Sequence, residues 1–234
     1  EHSIWVPDDV GLTSPVEKLA FFQRELAPGK LKAPRGGLKD HNKDGSIDWK
    51  DLTFHKEAIY KLTDTDRDGV ADKLTLFAEG FNSPVSGIAA GVLYHDGWVY
   101  VTAIPDVWRL KDTDGDGVAD LKELIATGFG GHIAYAGHDM HGLRLGPDGR
   151  IYWSIGDKGL NVTSKEGKPF TYPHQGAVVR CEPDGKNFEV FAHGVRNIQE
   201  IAFDDLGNVI GVDNDCDQPK ERERHVYLLE SSNS

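Results

Sequence analysis

Three short apolar runs each turn on a glycine and return as a second apolar run, and the regular spacing of those turns constrains the fold more than any other feature. The runs span 91–101 around Gly97, 142–153 around Gly149 and 201–210 around Gly207. The turn glycines lie 52 and 58 positions apart. A short polar link between alternating apolar runs is a hairpin signal. A second hairpin recurs in step with the first. Ile59 leads through Gly69 to Ala78, Val107 through Gly117 to Thr127, and Val178 through Gly185 to Ala192. Four short strands per unit of roughly 50 residues is the arithmetic of a propeller blade. The expected fold is therefore all-β: a β-propeller of four-stranded antiparallel blades, incomplete in this chain, behind a short irregular and helical N-terminal segment. An all-β sandwich is the alternative, and it would not require this period.

The repeat divides the chain at about residue 58. Residues 59–234 are expected to hold about three blades, and closed propellers take roughly four to eight, so the chain reads as a piece of a longer protein. Residues 1–58 form an extension. Within it Ser14, Pro15 and Glu17 make a capping-box pattern that predicts a short helix through Leu26. Residues 29–37 read as a basic loop punctuated by Gly and Pro, and 51–62 as a short helix or a strand.

Asp-rich loops interrupt this pattern three times. Asp40, Asn42, Asp44, Ser46, Asp48 and Asp51 fall on a twelve-position calcium loop, with Gly45 at the sharp turn. Asp64, Asp66, Asp68 and Asp72 repeat the spacing around Gly69, and Asp112, Asp114, Asp116, Asp120 and Glu123 repeat it around Gly117. Calcium takes six to eight hard oxygens, and alternate positions of a tight loop supply them. Carboxylates this close would repel strongly without a cation. The competing readings are metal-free hairpin turns and a regulatory pair of helix-flanked loops, although strand-like runs flank the second and third. Calcium is expected to brace the outer hairpins. It also suggests a periplasmic or otherwise extracytoplasmic home, because cytosolic free calcium is too low to fill modest sites.

The formal net charge of −12 is concentrated in these loops. It argues against nucleic acid or an anionic membrane as partner, since both call for a basic face. No apolar run reaches the roughly 20 residues of a membrane span. The sequence starts at Glu1 without a signal-peptide pattern, as a processed or trimmed protein would. Cys181 and Cys216 lie outside any CxxC pair, which argues against zinc or dithiol chemistry; they either form a disulfide or stand as a buried strand thiol and a loop thiol.

The most distinctive segment runs from Gly137 to Asn161. His138 precedes one strand of a hairpin and Asp157 ends the strand that pairs with it, so both fall on one rim of a blade. A carboxylate beside an imidazole orients it and raises its basicity, as a general base requires. The plainer alternative for His138 and His141 is a histidine that caps a turn. Arg196 and Asn197 open the next unit, where they can face the central channel and offer a guanidinium fork and an amide.

His138 with the run Gly146-Pro-Asp-Gly-Arg-Ile-Tyr-Trp-Ser-Ile-Gly-Asp157, then 178–185, then Gly194-Val-Arg-Asn-Ile-Gln199, resembles the glucose/sorbosone dehydrogenase family. Within it the likeness is nearest to the branch of bacterial membrane-bound, sorbosone-type dehydrogenases. The resemblance implies a six-bladed propeller that uses pyrroloquinoline quinone. It makes His138 the base that takes the substrate hydroxyl proton and Asp157 its orienting partner, and it puts Arg196 and Asn197 on the quinone. A sugar substrate and a c-type cytochrome domain further along a longer polypeptide are the implied partners. The expected function is thus a periplasmic quinoprotein-like dehydrogenase acting on a sugar or related alcohol. The alternative is a non-catalytic, calcium-stabilised propeller that serves as scaffold or recognition domain in a larger extracytoplasmic assembly.

Overall fold

A computed structural model of the chain describes residues 11–33, 38–132, 137–214 and 222–233. Part of the basic loop expected at 29–37, residues 215–221 with Cys216, and Ser234 lie outside the described residues. The first element among the described residues is the expected helix, α1 (Pro15–Glu25), capped by Ser14, whose Oγ accepts from the Glu17 backbone N–H. Glu17 itself reaches back to Thr13, accepting from its N–H and hydroxyl at 2.8 and 2.7 Å. The apolar face of α1 (Leu19, Phe21, Phe22) packs with Leu26, Leu38, Leu52 and Val85. The region of 51–62 contains both readings made of it, a 3₁₀ turn at Trp49–Thr53 followed by a strand from Glu57.

The strands then follow the repeat. β1 (Glu57–Thr63) and β2 (Lys73–Gly80) form one antiparallel hairpin. β3 (Ala89–His95), β4 (Trp98–Ala103), β5 (Asp106–Lys111) and β6 (Leu121–Thr127) form a complete four-stranded sheet in chain order. β7 (Met140–Leu145) and β8 (Ile151–Ile155) pair with β11 (Gly176–Cys181) and β12 (Glu189–Val195) in a second. Between β8 and β11 an extra hairpin, β9 (Leu160–Thr163) and β10 (Pro169–Tyr172), is inserted, and Phe129 bridges to its Leu160. β13 (Ile198–Phe203), β14 (Val209–Asp213) and β15 (Arg224–Leu228) form a third sheet, and the two-residue β16 (Ser232–Asn233) runs parallel to β12. The glycine turns at 97, 149 and 207 join β3 to β4, β7 to β8 and β13 to β14.

The sheets stack face to face because successive side chains of a strand point to opposite faces. All five residues of β8 are buried. Its Trp153, with Val179 and Cys181 of β11, packs against Tyr100, Val107 and Ile125 of the preceding sheet. Its Tyr152, with Val178, packs against Ile198, Ile201, Val209 and Leu228 of the following one. Phe77 and Phe81 meet Val101 and Leu110 in the same way between the first hairpin and the first complete sheet. Each large side chain fully buried in these seams contributes roughly 1.5–3 kcal/mol relative to exposure. The innermost strands touch in sequence, β3 against β7 and β7 against β13. Sheets that share seams on both faces and meet along their first strands fan about a common axis, which is the arrangement of a β-propeller.

Candidate active site

His138 and Asp157 meet at the rim where β7 begins and β8 ends. His138 Nδ1 lies 2.7 Å from Asp157 Oδ1. A carboxylate only accepts, so Nδ1 carries the proton in this pair, and in the neutral ring the lone pair falls on Nε2. The His138 side chain is buried and that of Asp157 is about one third exposed. The dyad is therefore shielded on the imidazole side and open to solvent on the carboxylate side.

Asn197 reaches the same place from the turn that opens β13. A Cβ added to Gly156 would lie 2.8 Å from Asn197 Oδ1 and 2.9 Å from His138 Cβ, so glycine is what lets the two side chains close over this backbone. Asn197 is 1% exposed, and its Oδ1 has no hydrogen-bond partner among the described residues. The turn that carries it is fixed from below by Asp213. That wholly buried carboxylate accepts the backbone N–H of Arg196 at 3.0 Å and of Asn197 at 2.8 Å through Oδ1, and the Arg224 guanidinium pairs with its other oxygen. Arg196 Nη1 donates to the backbone O and Oδ1 of Asn214, which holds the guanidinium at the end of β14. The structure thus brings His138, Asp157 and Asn197 together, while Arg196, on the same turn as Asn197, has its guanidinium held by Asn214. His141 Nε2 donates to Gly137 O at 2.8 Å, the turn-capping role.

Four residues of this region carry no motif of their own in the sequence. Asp139 and Lys158 form a buried ion pair at 2.8 Å directly behind the dyad. Lys18 of α1 buries its ammonium against Gly130 O at 3.0 Å. Asp213 is the fourth; in the sequence it stands only as part of an acidic loop. A buried Asp one position after a candidate histidine, and a Lys one position after its carboxylate, are the signals that could have pointed to the first two.

Two of the Asp-rich loops, at 64–72 and 112–120, join β1 to β2 and β5 to β6. The loops at 64–72 and 112–120 share one hydrogen-bond pattern. Asp64 Oδ2 accepts from Gly69 N and Asp112 Oδ2 from Gly117 N, both at 2.9 Å, while Asp72 and Asp120 accept from the N–H and hydroxyl of Thr65 and Thr113. Carboxylate oxygens of Asp64, Asp66 and Asp72, and of Asp112, Asp114 and Asp116, lie within 4.8 Å of one another. Such a spacing fits a hard cation held by carboxylates. Asp68 and Asp116 also accept from the N–H two residues on. Glu123, expected as a twelfth-position ligand, instead has its carboxylate held by Arg109 at 2.5 Å. In the first loop Asp40 accepts from Asp44 N and Gly45 N, Asn42 from Asp44 N and Asp44 from Ser46 N. Asp48 and Asp51 cap the 3₁₀ turn reciprocally, and Ser46 Oγ is buried without a partner among the described residues.

Residues 39–233 match the family model described as a domain of unknown function, DUF7133. The match covers most of the chain, which therefore belongs to that family. No curated protein matches it. Among solved structures, the chain is similar to the PQQ-bound aldose sugar dehydrogenase (Adh) of Streptomyces coelicolor, with 18% identity, TM-score 0.49, and coverage of 75% of this chain and 55% of that one. It is also similar to an oxidoreductase (glucose dehydrogenase) of Thermus thermophilus, at 19% identity and TM-score 0.47, over 71% and 56% of the two chains. The PQQ domain of a pyranose dehydrogenase from Coprinopsis cinerea matches at 13% identity and TM-score 0.44, over 71% and 42%. The chain spans about half the length of these structures.

Proposed function

We propose that the chain carries the base-bearing part of a quinone-dependent dehydrogenase that oxidises a sugar or related alcohol outside the cytoplasm. The observation that supports this reading is the 2.7 Å contact of His138 Nδ1 with Asp157 Oδ1, beside an Asn197 Oδ1 that is buried and unpartnered among the described residues. An imidazole fixed in the Nδ1–H tautomer presents Nε2 to a hydroxyl, and the adjacent carboxylate stabilises the imidazolium that proton transfer creates. An orphaned buried acceptor costs free energy unless a ligand or a water donates to it. Asn197 therefore fits a bound group that carries a donor, and Arg196 offers a guanidinium nearby to an anionic one.

Pyrroloquinoline quinone, when bound, supplies the two-electron acceptor for the hydride leaving the alcohol carbon. His138 Nε2 takes the hydroxyl proton, Asp157 holds the ring, and the buried side of the site keeps water from the imidazole. A c-type cytochrome domain would take on the electrons. Calcium in the loops at 64–72 and 112–120 would pin the outer hairpins, and sites of modest affinity suit a compartment rich in calcium, such as the periplasm. The test is dye reduction by full-length protein, given the quinone and calcium, on a panel of aldoses and alcohols. The reading predicts turnover that falls by about 10²–10⁴-fold in His138→Ala, the usual contribution of a general base. Absence of turnover on every substrate, or activity indifferent to His138→Ala, contradicts it and leaves the calcium-braced scaffold.

A further inference from the structure

The two segments that meet at His138 and Asp157 meet a second time, one residue further along each. Asp139 Oδ1 accepts from Lys158 Nζ at 2.8 Å, parallel to the dyad's own 2.7 Å contact. The second bridge is the deeper one, with Asp139 2% and Lys158 9% exposed. Gly87 makes room for it, since a Cβ there would lie 2.3 Å from Asp139 Oδ1. The backbone ties the same segments, with Gly156 N donating to Asp139 O and Gly159 N to Gly156 O.

A third buried charge joins from outside the repeats. The α1 N-cap sits on Gly131, where a Cβ would come within 2.7 Å of the Thr13–Ser14 backbone. Lys18 then reaches Gly130 O, while Gly130 N donates to Gly159 O and His132 N to Lys158 O. Lys158 and Asp139 both act on the Lys18 charge. A continuous set of hydrogen bonds therefore runs from α1 through 130–132 to the segment that carries Asp157.

We propose that Asp139, Lys158 and Lys18 are positioning residues for the His138–Asp157 pair, and that α1 is in consequence a component of the site. The proposal rests on the reading of His138 as the base. Its physical basis is competition for one carboxylate. While Asp139 neutralises Lys158, Asp157 is left to the imidazole. Remove the Asp139 charge, and a nine-tenths-buried ammonium one residue from Asp157 must find another counter-ion. Asp157 is the carboxylate at hand, and its loss releases the imidazole from the Nδ1–H tautomer.

The test reads the tautomer of His138 from the nitrogen resonances of its imidazole, in labelled full-length protein without quinone. The wild type is expected to hold one tautomer, protonated at Nδ1. Asp139→Asn lowers the tautomer ratio by about tenfold or more, while Lys158→Arg, which keeps the bridge, and the double variant Asp139→Asn with Lys158→Met, which removes the competing ammonium, retain the wild-type pattern. Lys18→Met gives a smaller loss in the same direction. A folded Asp139→Asn with an unchanged tautomer overturns the positioning role, as does a mixed tautomer in Lys158→Arg or in the double variant. Should Asp139→Asn fail to fold, an unchanged pattern in Lys18→Met overturns the part assigned to α1. A purely structural role would lower the melting temperature and leave the tautomer alone. Because no quinone or substrate is present, the result stands apart from the dehydrogenase reading, which the dye assay judges.

Discussion

Lys18 gives the fold a pH signature that a single substitution can test. Burial, aided by the Lys158 charge and opposed by Asp139, pulls its ammonium down from 10.5 to about 8. The unfolded chain therefore binds more protons than the folded one between about pH 8 and 10.5, and stability contributed by this group rises with pH across that window. Lys18→Met removes the dependence. The stability of the wild type relative to that variant, from urea midpoints, should climb between pH 8 and 10.5, and a flat difference would contradict the burial of a charged Lys18. Gly156 makes a second prediction at this scale. Gly156→Ala must displace Asn197 or His138, because its Cβ would lie within 3 Å of both, so dye-reduction activity should drop at least tenfold with the fold retained. His138 and Asp157 were legible in the sequence because hairpin pairing alone puts a strand's start beside its partner's end. Lys18 was not, because nothing in an eleven-residue amphipathic helix says which of its polar residues will be turned inward.

At the scale of elements, the hairpins were legible from their turns and the seams from their alternation. The insertion β9–β10 was missed because it breaks the four-strand count with a turn that resembles the others. The two Asp-rich loops with a common hydrogen-bond pattern cap adjacent outer hairpins, and Ala119 N donates to Phe77 O, so the 112–120 loop is bonded to its neighbour β2. Calcium held there would stabilise the seam between the first hairpin and the sheet β3–β6. Metal bound only by the folded state adds about 2.7 kcal/mol at a hundredfold excess over its dissociation constant, or about 5–10 °C in a chain of this size. Excess chelator should lower the melting temperature by that amount, and Asp112→Asn with Asp114→Asn should remove part of the response. A melting curve indifferent to chelator would leave the loops as metal-free turns.

For the whole molecule, the ring is open among the described residues. Tyr60, Leu62 and Leu74 of the first hairpin, and Tyr227 of β15 with the adjacent Leu229, are exposed apolar side chains on the outermost sheets. The repeat told of blades but not of how the N-terminal segment meets them, since α1 docks through two glycines, Gly130 and Gly131, that lie in no repeated motif. The central claim is that His138, Asp157 and Asn197 form one wall of a quinone site. Equilibrium dialysis of pyrroloquinoline quinone against full-length protein with calcium tests it most directly. The account predicts about one quinone retained per chain and at least a tenfold weaker retention in Asn197→Ala; no retention by the wild type, or equal retention by the variant, would contradict it.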